Sequence, residues 1–322
     1  MTVHSPEPME ASEIISTGWR LYTSNLSQYL LIALVATIWS FVPTVFNLLI
    51  TLGPAYLGTS LSPGLSVLLF VVWVAIAIFC TAQSLGHFAG ISRSAYQSLS
   101  DTEESTEASL RFTHARRFSF LGATILQSLI VFIAVLALIV LYAIAVGVLA
   151  VILSAVGNSA ILNVLLALLS IAGLIALFFA YIYVVVRFVL IEQPIAIEPT
   201  SGAVAAISRS WELTKYRVGR SILVSFLLFL IVFAIFVVSL GIIGIVMSGT
   251  ALAILTSNPD PEEIMRVFWP FYLAFVVVSV VISIGVLPLF KTTLTVLYFD
   301  LRNRFERRDF REIIQTDPAA NL

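Results

Sequence analysis

The sequence predicts an all-α, polytopic integral membrane protein in which six transmembrane helices form three hairpins, each preceded by an amphipathic interfacial helix. Hydrophobic residues make up 60% of the 322 residues and charged residues only 11%, whereas about 25% charged residues is usual in soluble domains. No Asp, Glu, Lys or Arg occurs between Arg20 and Arg93, nor between Arg117 and Arg187. Each gap is far longer than the roughly 20 apolar residues that a helix needs to cross a bilayer.

The apolar stretches divide into six spans where turn-forming residues interrupt them. GPAYLGTSLSPG separates the first two spans, SAVGNSA the third from the fourth, and SGTALAILTSNPDPEEIMR the last two. Gly, Pro, Ser and Asn are typical of turns because their backbone or side chains favour chain reversal. The predicted spans are Leu26–Leu52, Leu65–Ala89, Phe120–Leu153, Ile161–Leu190, Ser221–Met247 and Val267–Phe299.

Basic residues fall almost entirely on one side of the membrane when these six spans are drawn. One side carries Arg266 alone. The other carries Arg20, Arg93, Arg111, Arg116, Arg117, Arg209, Lys215, Arg217, Arg220 and the five arginines of the C-terminal tail. The positive-inside rule assigns the basic side to the cytoplasm, so both termini are expected there.

Three regions follow from this topology. They are a cytoplasmic N-terminal segment with an amphipathic helix (1–25), a membrane domain (26–299) with cytoplasmic loops at 90–119 and 191–220, and a basic cytoplasmic tail (300–322). Tyr298 and Phe299 lie where the last span leaves the membrane. Because aromatic residues are enriched at the membrane–water interface, we expect both in the aromatic belt.

An amphipathic basic segment precedes the first and fifth spans, and the two segments resemble each other. In IISTGWRLYTSNLSQYLL (14–31) and AISRSWELTKYRVGRSIL (206–223), an offset of 192 aligns Trp19 with Trp211. SLRFTHARRFSFLGATIL (109–126) fits the same pattern more loosely. Such helices lie flat among lipid headgroups, either to recognise anionic lipid or simply to anchor the hairpins. The candidate interfacial, lipid-facing residues are Trp19, Trp211, Arg209, Lys215, Arg217 and Arg220.

A few charged residues fall inside or beside the predicted spans and form a candidate intramembrane polar site: Lys291, Glu192 and Arg187. Intramembrane charges mark functional sites by default, although a long side chain can also snorkel to the interface. On a helical wheel Lys291 shares one face with Thr295, Tyr298 and Arg302, so this face should point into the bundle. Glu192 ends the fourth span near the same leaflet, and we expect it to meet Lys291 directly or through water.

Motifs of known catalytic chemistry do not occur in the sequence. It has no H-E-x-x-H zinc motif, no Walker-type phosphate loop and no G-x-S-x-G elbow. The acidic residues fall mostly in loops and tails, and His87 at the inner end of the second span is more typical of a packing residue than of a ligand. We therefore predict no catalytic residue, no metal and no cofactor.

Three segments carry a resemblance to a known family. "EIISTGWRLYTSNL", "IEQPIAIEPTSGAVAAISRSWELTK" and "TLTVLYFDLRNRFERRDF" resemble the prokaryotic membrane-domain family named after the membrane part of glycerophosphoryl diester phosphodiesterases. Members show a glutamate after a span, then an A-x-x-x-S-W-like helix, and close with a Y-x-D-L-R-x-R-x-E-like motif. The resemblance covers essentially the whole chain and implies a six-helix membrane module.

The family name does not transfer the hydrolase activity. Phosphodiester cleavage belongs to a separate soluble barrel that uses histidine and metal-binding carboxylates, and this chain has no room for that barrel. Its histidines are His4, His87 and His114. The resemblance therefore implies a membrane module of a prokaryotic cell, in the inner (plasma) membrane, with both termini cytoplasmic.

Three functions remain open from the sequence. The first is a non-enzymatic module that organises or binds membrane lipids or other membrane proteins, but not nucleic acid, at the cytoplasmic face. The second is a transporter or channel for a small solute with Lys291 and Arg187 in its path, and the third is a membrane-lipid enzyme. Transport requires that polar side chains of the spans line one water-accessible cavity: Asn47, Gln83, Gln127, Asn163, Arg187 and Lys291.

Overall fold

The structure is a computed structural model that describes residues 9–56, 61–102, 104–157, 160–215, 217–256 and 261–316. These residues form helices and no strand. The helices are α1 (Ala11–Ser24), α2 (Leu26–Tyr56), α3 (Pro63–Leu99), α4 (Thr106–Ala115), α5 (Arg117–Val156), α6 (Ala160–Arg187), α7 (Glu192–Ile197), α8 (Ala203–Lys215), α9 (Val218–Thr256) and α10 (Pro261–Thr316).

Among the described residues, six helices are long and apolar enough to cross a membrane, which confirms the predicted all-α fold with six candidate spans. They are α2, α3, α5, α6, α9 and α10. Several continue past their predicted ends, and the longest extensions are those of α3 to Leu99, α9 to Thr256 and α10 to Thr316. In α10 no Gly or Pro occurs between Phe299 and Thr316. Ion pairs one turn apart, Arg304 with Asp300 and Arg302 with Glu306, stabilise the extension.

Short helices precede three of the long ones: α1 comes before α2, α4 before α5, and α8 before α9. Each of these long helices also packs against the next long helix, so that α2 contacts α3, α5 contacts α6 and α9 contacts α10. This order and packing suit a chain of three hairpins. The hairpin arrangement in a membrane, and the interfacial position of the short helices, stay predictions.

Burial is concentrated at one end of the bundle. We call this the basic end, and define it as α1, α4, α7, α8, residues 289–306 of α10, and the ends of α3, α5, α6 and α9 that adjoin them. The largest buried cluster joins Ile14 of α1, Ile195 of α7 and Leu297 of α10. In contrast, the most apolar windows of α5 and α6 contain no buried residue. A bilayer solvates apolar side chains as well as a protein interior does, so these long helices need little packing against one another.

The N-terminal helix α1 is tied closely to α10. Thr292 donates its hydroxyl hydrogen to the carbonyl oxygen of Gly18 at 3.0 Å, and Tyr22 donates to the carbonyl of Gly285 at 2.9 Å. A Cβ at Gly18 would lie only 2.7 Å from the backbone Cα of Thr293. Glycine is therefore required here for the close approach of the two helices.

Candidate functional site

The short helix α7 lies at the centre of the basic end. Backbone turns after Arg187 end α6 and lead directly into α7. Pro194 fits the first turn of α7 because amide groups there have no partner within a helix. Residues Gln193 to Ile197 are buried. The sequence segment IEQPIAIE, predicted as part of a cytoplasmic loop, thus forms a core element.

Two arginines from neighbouring helices bind the carbonyl groups at the end of α7. Arg93 of α3 donates to the carbonyl of Ala196 at 3.1 Å, and Arg116 donates to the carbonyl of Glu198 at 2.7 Å. The last carbonyls of a helix lack partners within it and favour cations. The guanidinium groups of Arg93 and Arg116 also lie over the ring of Phe112, at 3.6 and 4.4 Å from its centre. Burial and the neighbouring Arg93 lower the pKa of Arg116.

The predicted contact between Lys291 and Glu192 is present. The ammonium of Lys291 donates directly to Oε2 of Glu192, and both side chains are largely buried, with 14% and 20% of their surface exposed. Thr295 and Tyr298, which share the Lys291 face of α10, are fully buried, so this face points into the bundle as the helical wheel predicts. Lys291 therefore does not snorkel here. That the pair is a functional site stays a prediction.

Glu198 connects α8 and α10 just beyond α7. Tyr298 donates its phenolic hydrogen to Oε1 of Glu198 at 2.5 Å, and Nε of Arg209 lies 3.5 Å from the same oxygen. Arg209 also pairs with Glu306 at 3.7 Å. Hydrogen bonds to an ionised carboxylate are stronger than those between neutral groups. The expectation that Tyr298 lies in the aromatic belt is wrong, because its ring is buried and its hydroxyl is held by this carboxylate.

Asp300 forms a second polar junction, where α1, α9 and α10 meet. Arg304 donates to it at 2.8 Å through Nη2, and Nη1 of Arg220 lies 3.4 Å from its other oxygen. The backbone amide of Met9 donates to the same carboxylate at 3.3 Å. Asp300 is 7% exposed. Two arginines from different helices thus offset the cost of burying one carboxylate.

Arg187 is buried but forms no ion pair with any acid of the described residues. Its side chain is 1% exposed. Its guanidinium carbon lies 3.9 Å from the centre of the Trp211 ring, a cation–π distance. Nε and Nη1 have no hydrogen-bond partner within the described part of the chain. The snorkelling considered for Arg187 does not occur here, because its head group is enclosed by protein.

The candidate interfacial residues divide into two groups. Trp19 and Trp211 are exposed, as a headgroup position requires, but Trp19 packs on Tyr22 whereas Trp211 packs on Phe188 and Arg187. Lys215 and Arg217 are exposed as well. Arg209 and Arg220 are instead held in ion pairs with acids of neighbouring helices, with only 22% and 15% of their side chains exposed.

A cavity of about 210 Å³ lies between α3, α5, the end of α6 and α7. Its wall is mainly apolar and includes Phe120 and Phe188, with polar groups from Thr124, Gln127 and Glu192. Of the six polar residues that a solute path would need, only Gln127 lines it. Asn47 is exposed on α2 and Arg187 is buried against α8. Within the described part of the chain, the six residues are therefore not gathered around this cavity.

A histidine pair joins α3 and α4. Nδ1 of His87 lies 2.8 Å from the carbonyl oxygen of Gln83, so this nitrogen carries the hydrogen, and the ring meets His114 edge-on with 4.1 Å between ring centres. Sequence reasoning treated His87 as a lone packing residue and missed this pair, as well as the Glu198 junction. Neither leaves a local signal, because each joins residues far apart in the chain. No group of three or more potential metal ligands occurs among the described residues.

Six long apolar helices joined at one polar end define a multi-pass integral membrane protein. Comparison of the chain with protein-family models, curated proteins and solved structures gives no match. Membership of the membrane-domain family that the three motifs resemble therefore stays a prediction.

Proposed function

We propose that this protein is a non-enzymatic membrane module that binds lipids and partner proteins at the cytoplasmic face of a prokaryotic plasma membrane. The observation that carries the proposal is the ion-pair network of the basic end. It joins α7 to α10 through Lys291, α8 to α10 through Arg209, and α9 to α10 through Arg220. A network of this kind holds the short helices in one arrangement, which a binding surface needs.

The surface that this network supports suits a membrane interface. Trp19 and Trp211 are exposed on α1 and α8, and exposed cationic side chains lie nearby in sequence at Arg20, Lys215 and Arg217. Tryptophan prefers the headgroup region, while Lys and Arg attract anionic lipids. This combination favours contact with headgroups or with the acidic surface of a membrane-bound partner.

Transport of a small solute is the second candidate function. It is favoured by one observation, which is that Glu192 both lines the cavity and pairs with Lys291 inside candidate spans. Against it, the buried charged side chains of the described residues, Arg187 and Asp300, both belong to the basic end. These two charges therefore do not form a path for a solute toward the opposite end of the helix bundle.

Lipid selectivity tests the proposal directly. The protein would be inserted into nanodiscs of mixed phosphatidylglycerol and phosphatidylcholine, and its retained lipids counted by native mass spectrometry at low salt. We expect enrichment of phosphatidylglycerol, and a lower enrichment when Arg20 and Arg217 are both replaced by Gln. A variant with Lys at the same two positions keeps the charge and is the matched control.

Two results would contradict the proposal. One is equal retention of both lipids by the wild-type protein, together with no membrane protein recovered by cross-linking in native membranes. The other is solute-dependent current or flux in proteoliposomes that disappears in Lys291→Met. That second result would favour the transport function.

A further inference from the structure

Arg187 differs from the other buried or half-buried cations of the basic end. Lys291, Arg93 and Arg209 each pair with a carboxylate, and Arg116 binds backbone carbonyls. Arg187 is more deeply buried than any of these, yet Nε and Nη1 lack a partner among the described residues. Burying an ionised group without a counter-ion is strongly unfavourable. An anion from outside the chain would remove this imbalance.

We propose that Arg187 binds a phosphate group, with the Trp211 ring as the wall of the site. This inference rests on the proposed function and names the ligand class and the residue that would carry it. On the planar guanidinium, Nε–H lies beside Nη2–H at one edge, and this fork matches two phosphate oxygens. Nη1 is a further donor at the adjacent edge, and neither Nε nor Nη1 has a partner among the described residues. Phosphate is the anion that both a membrane headgroup and the cytoplasm supply.

The surroundings of Arg187 favour such a site. The Trp211 ring covers one face of the Arg187 guanidinium. Trp211 itself is 40% exposed. The ring therefore separates the cation from the exterior, and its displacement opens a way to the guanidinium. Lys215 follows Trp211 by one helical turn on α8 and is exposed, which adds positive charge near the entrance.

The backbone around Arg187 is held firmly, so its position does not depend on a ligand. Ser210 of α8 donates its hydroxyl hydrogen to the carbonyl oxygen of Arg187 at 2.9 Å. The hydroxyl of Thr214 lies 3.3 Å from the same oxygen and donates to the carbonyl of Ser210 at 2.7 Å. The next residue, Phe188, packs on Trp211 with 5.5 Å between ring centres. The end of α6 and α8 thus form one rigid frame in which only the ends of two side chains need to move.

High salt separates this site from general attraction between lipid and exposed arginines. Exposed charges are strongly screened at about 0.5 M salt, whereas a buried contact is screened much less. Purified protein would be washed in detergent with 0.5 M NaCl, and bound phospholipid counted by native mass spectrometry. In parallel, thermal unfolding would be measured with sodium phosphate against sodium chloride at equal ionic strength, to detect free phosphate.

Arg187→Gln is the main variant, and Arg111→Gln, which removes an exposed arginine, is its matched control. We expect wild type and Arg111→Gln to retain one phospholipid through the wash. Arg187→Gln should bind the phospholipid at least roughly tenfold more weakly, because it loses hydrogen bonds to a charged group. Retention of lipid would identify the ligand as the phosphate of a lipid headgroup. Stabilisation by inorganic phosphate without lipid retention would identify it as free phosphate. Either result supports the site.

The site is overturned if Arg187→Gln matches wild type in both measurements, or if the wild-type protein shows neither effect. In the first case salt-sensitive enrichment of phosphatidylglycerol can still occur, so the proposed function and this inference fail separately. Arg187→Lys covers the case in which the Gln variant does not fold. It keeps the charge but loses the planar fork, and wild-type affinity in this variant would also contradict a fork-bound phosphate.

Discussion

The ammonium group of Lys291 in α10 contacts the carboxylate of Glu192, the first residue of α7, across 99 positions of sequence. Each residue belongs to a candidate span. The contact places a positive and a negative charge together where either alone would be unfavourable in a membrane. It also fixes α10 against the buried helix α7, on which Arg93 and Arg116 converge from two further directions.

Combining Lys291→Met with Glu192→Gln should show that the two residues act as one unit. Each single change leaves a buried charge or polar group without its partner, whereas the double change removes both. We expect the effects on unfolding free energy to be non-additive by about 0.5–3 kcal/mol, as contacting residues usually are. Thermal or denaturant unfolding in detergent measures this. Strict additivity would mean that the contact contributes no coupling.

Replacing Tyr298 by Phe should weaken the junction between α8 and α10. The change removes only the hydroxyl that donates to Glu198. A hydrogen bond to a charged group contributes about 1.5–3 kcal/mol, so unfolding should require that much less free energy. Tyr142→Phe is the matched control, since its hydroxyl donates to a neutral carbonyl, that of Ser170, and should cost only about 0.5–1.5 kcal/mol. Equal losses in the two variants would contradict the charged junction.

Features that depend on composition and periodicity could be predicted from the sequence. The six spans follow from long apolar stretches, and the inward face of Lys291 follows from the polar residues that recur beside it at helical spacing. Glu192 could be chosen as the partner because few acids lie near the spans. These arguments need only the pattern of residues along the chain, and the inward face of Lys291 and its contact with Glu192 agree with the structure.

Features that depend on contacts between distant segments could not be predicted. The sequence predicts Tyr298 in the aromatic belt, yet it is buried on Glu198, and Arg302 on the same face donates to the hydroxyl of Tyr96 at 3.0 Å. Likewise, the apolar IEQPIAIE segment resembles a short loop until arginines from other helices are seen to bind its carbonyls. Nothing local in the sequence specifies these pairings.

Gly18→Ala should loosen the N-terminal helix from α10. The added methyl would overlap Oγ1 of Thr293 and lie 2.7 Å from its Cα, and this backbone atom cannot rotate away. Overpacking of this kind typically destabilises by 1–3 kcal/mol, so a lower unfolding temperature is expected. Gly147→Ala in α5 meets nothing within 4 Å and should be neutral or slightly stabilising. A Gly18→Ala protein as stable as wild type would show that α1 does not approach α10 this closely.

Acidification should destabilise the contact between α3 and α4. Burial lowers the pKa of His114, and the nearby His87 and Arg117 lower it further. The unfolded chain, with a histidine pKa of about 6.5, therefore takes up a proton at higher pH than the folded protein does. The stabilising contribution is present above that pH and is lost as the pH falls below it.

Unfolding temperatures measured between pH 8 and pH 5 test this. The loss of stability should be smaller in His114→Gln, which cannot be protonated, while the exposed Arg111→Gln on the same helix should follow the wild-type curve. If His114→Gln loses as much stability as wild type, the pH dependence arises at other groups.

Membrane orientation is tested by labelling single introduced cysteines. The one native cysteine, Cys80, is buried and is first replaced by Ala. The positions Ser60, Asp260 and Ala320 lie outside the described residues, and the arginine asymmetry predicts their sides. A membrane-impermeant maleimide should label Ser60→Cys and Asp260→Cys in intact cells, but Ala320→Cys only after permeabilisation. Labelling of Ala320→Cys from outside would show that the C-terminus, and with it the basic end, faces away from the cytoplasm. The Trp211 and Arg187 surface would then face neither the anionic cytoplasmic leaflet nor a cytoplasmic partner, and the proposed function would lose its electrostatic basis.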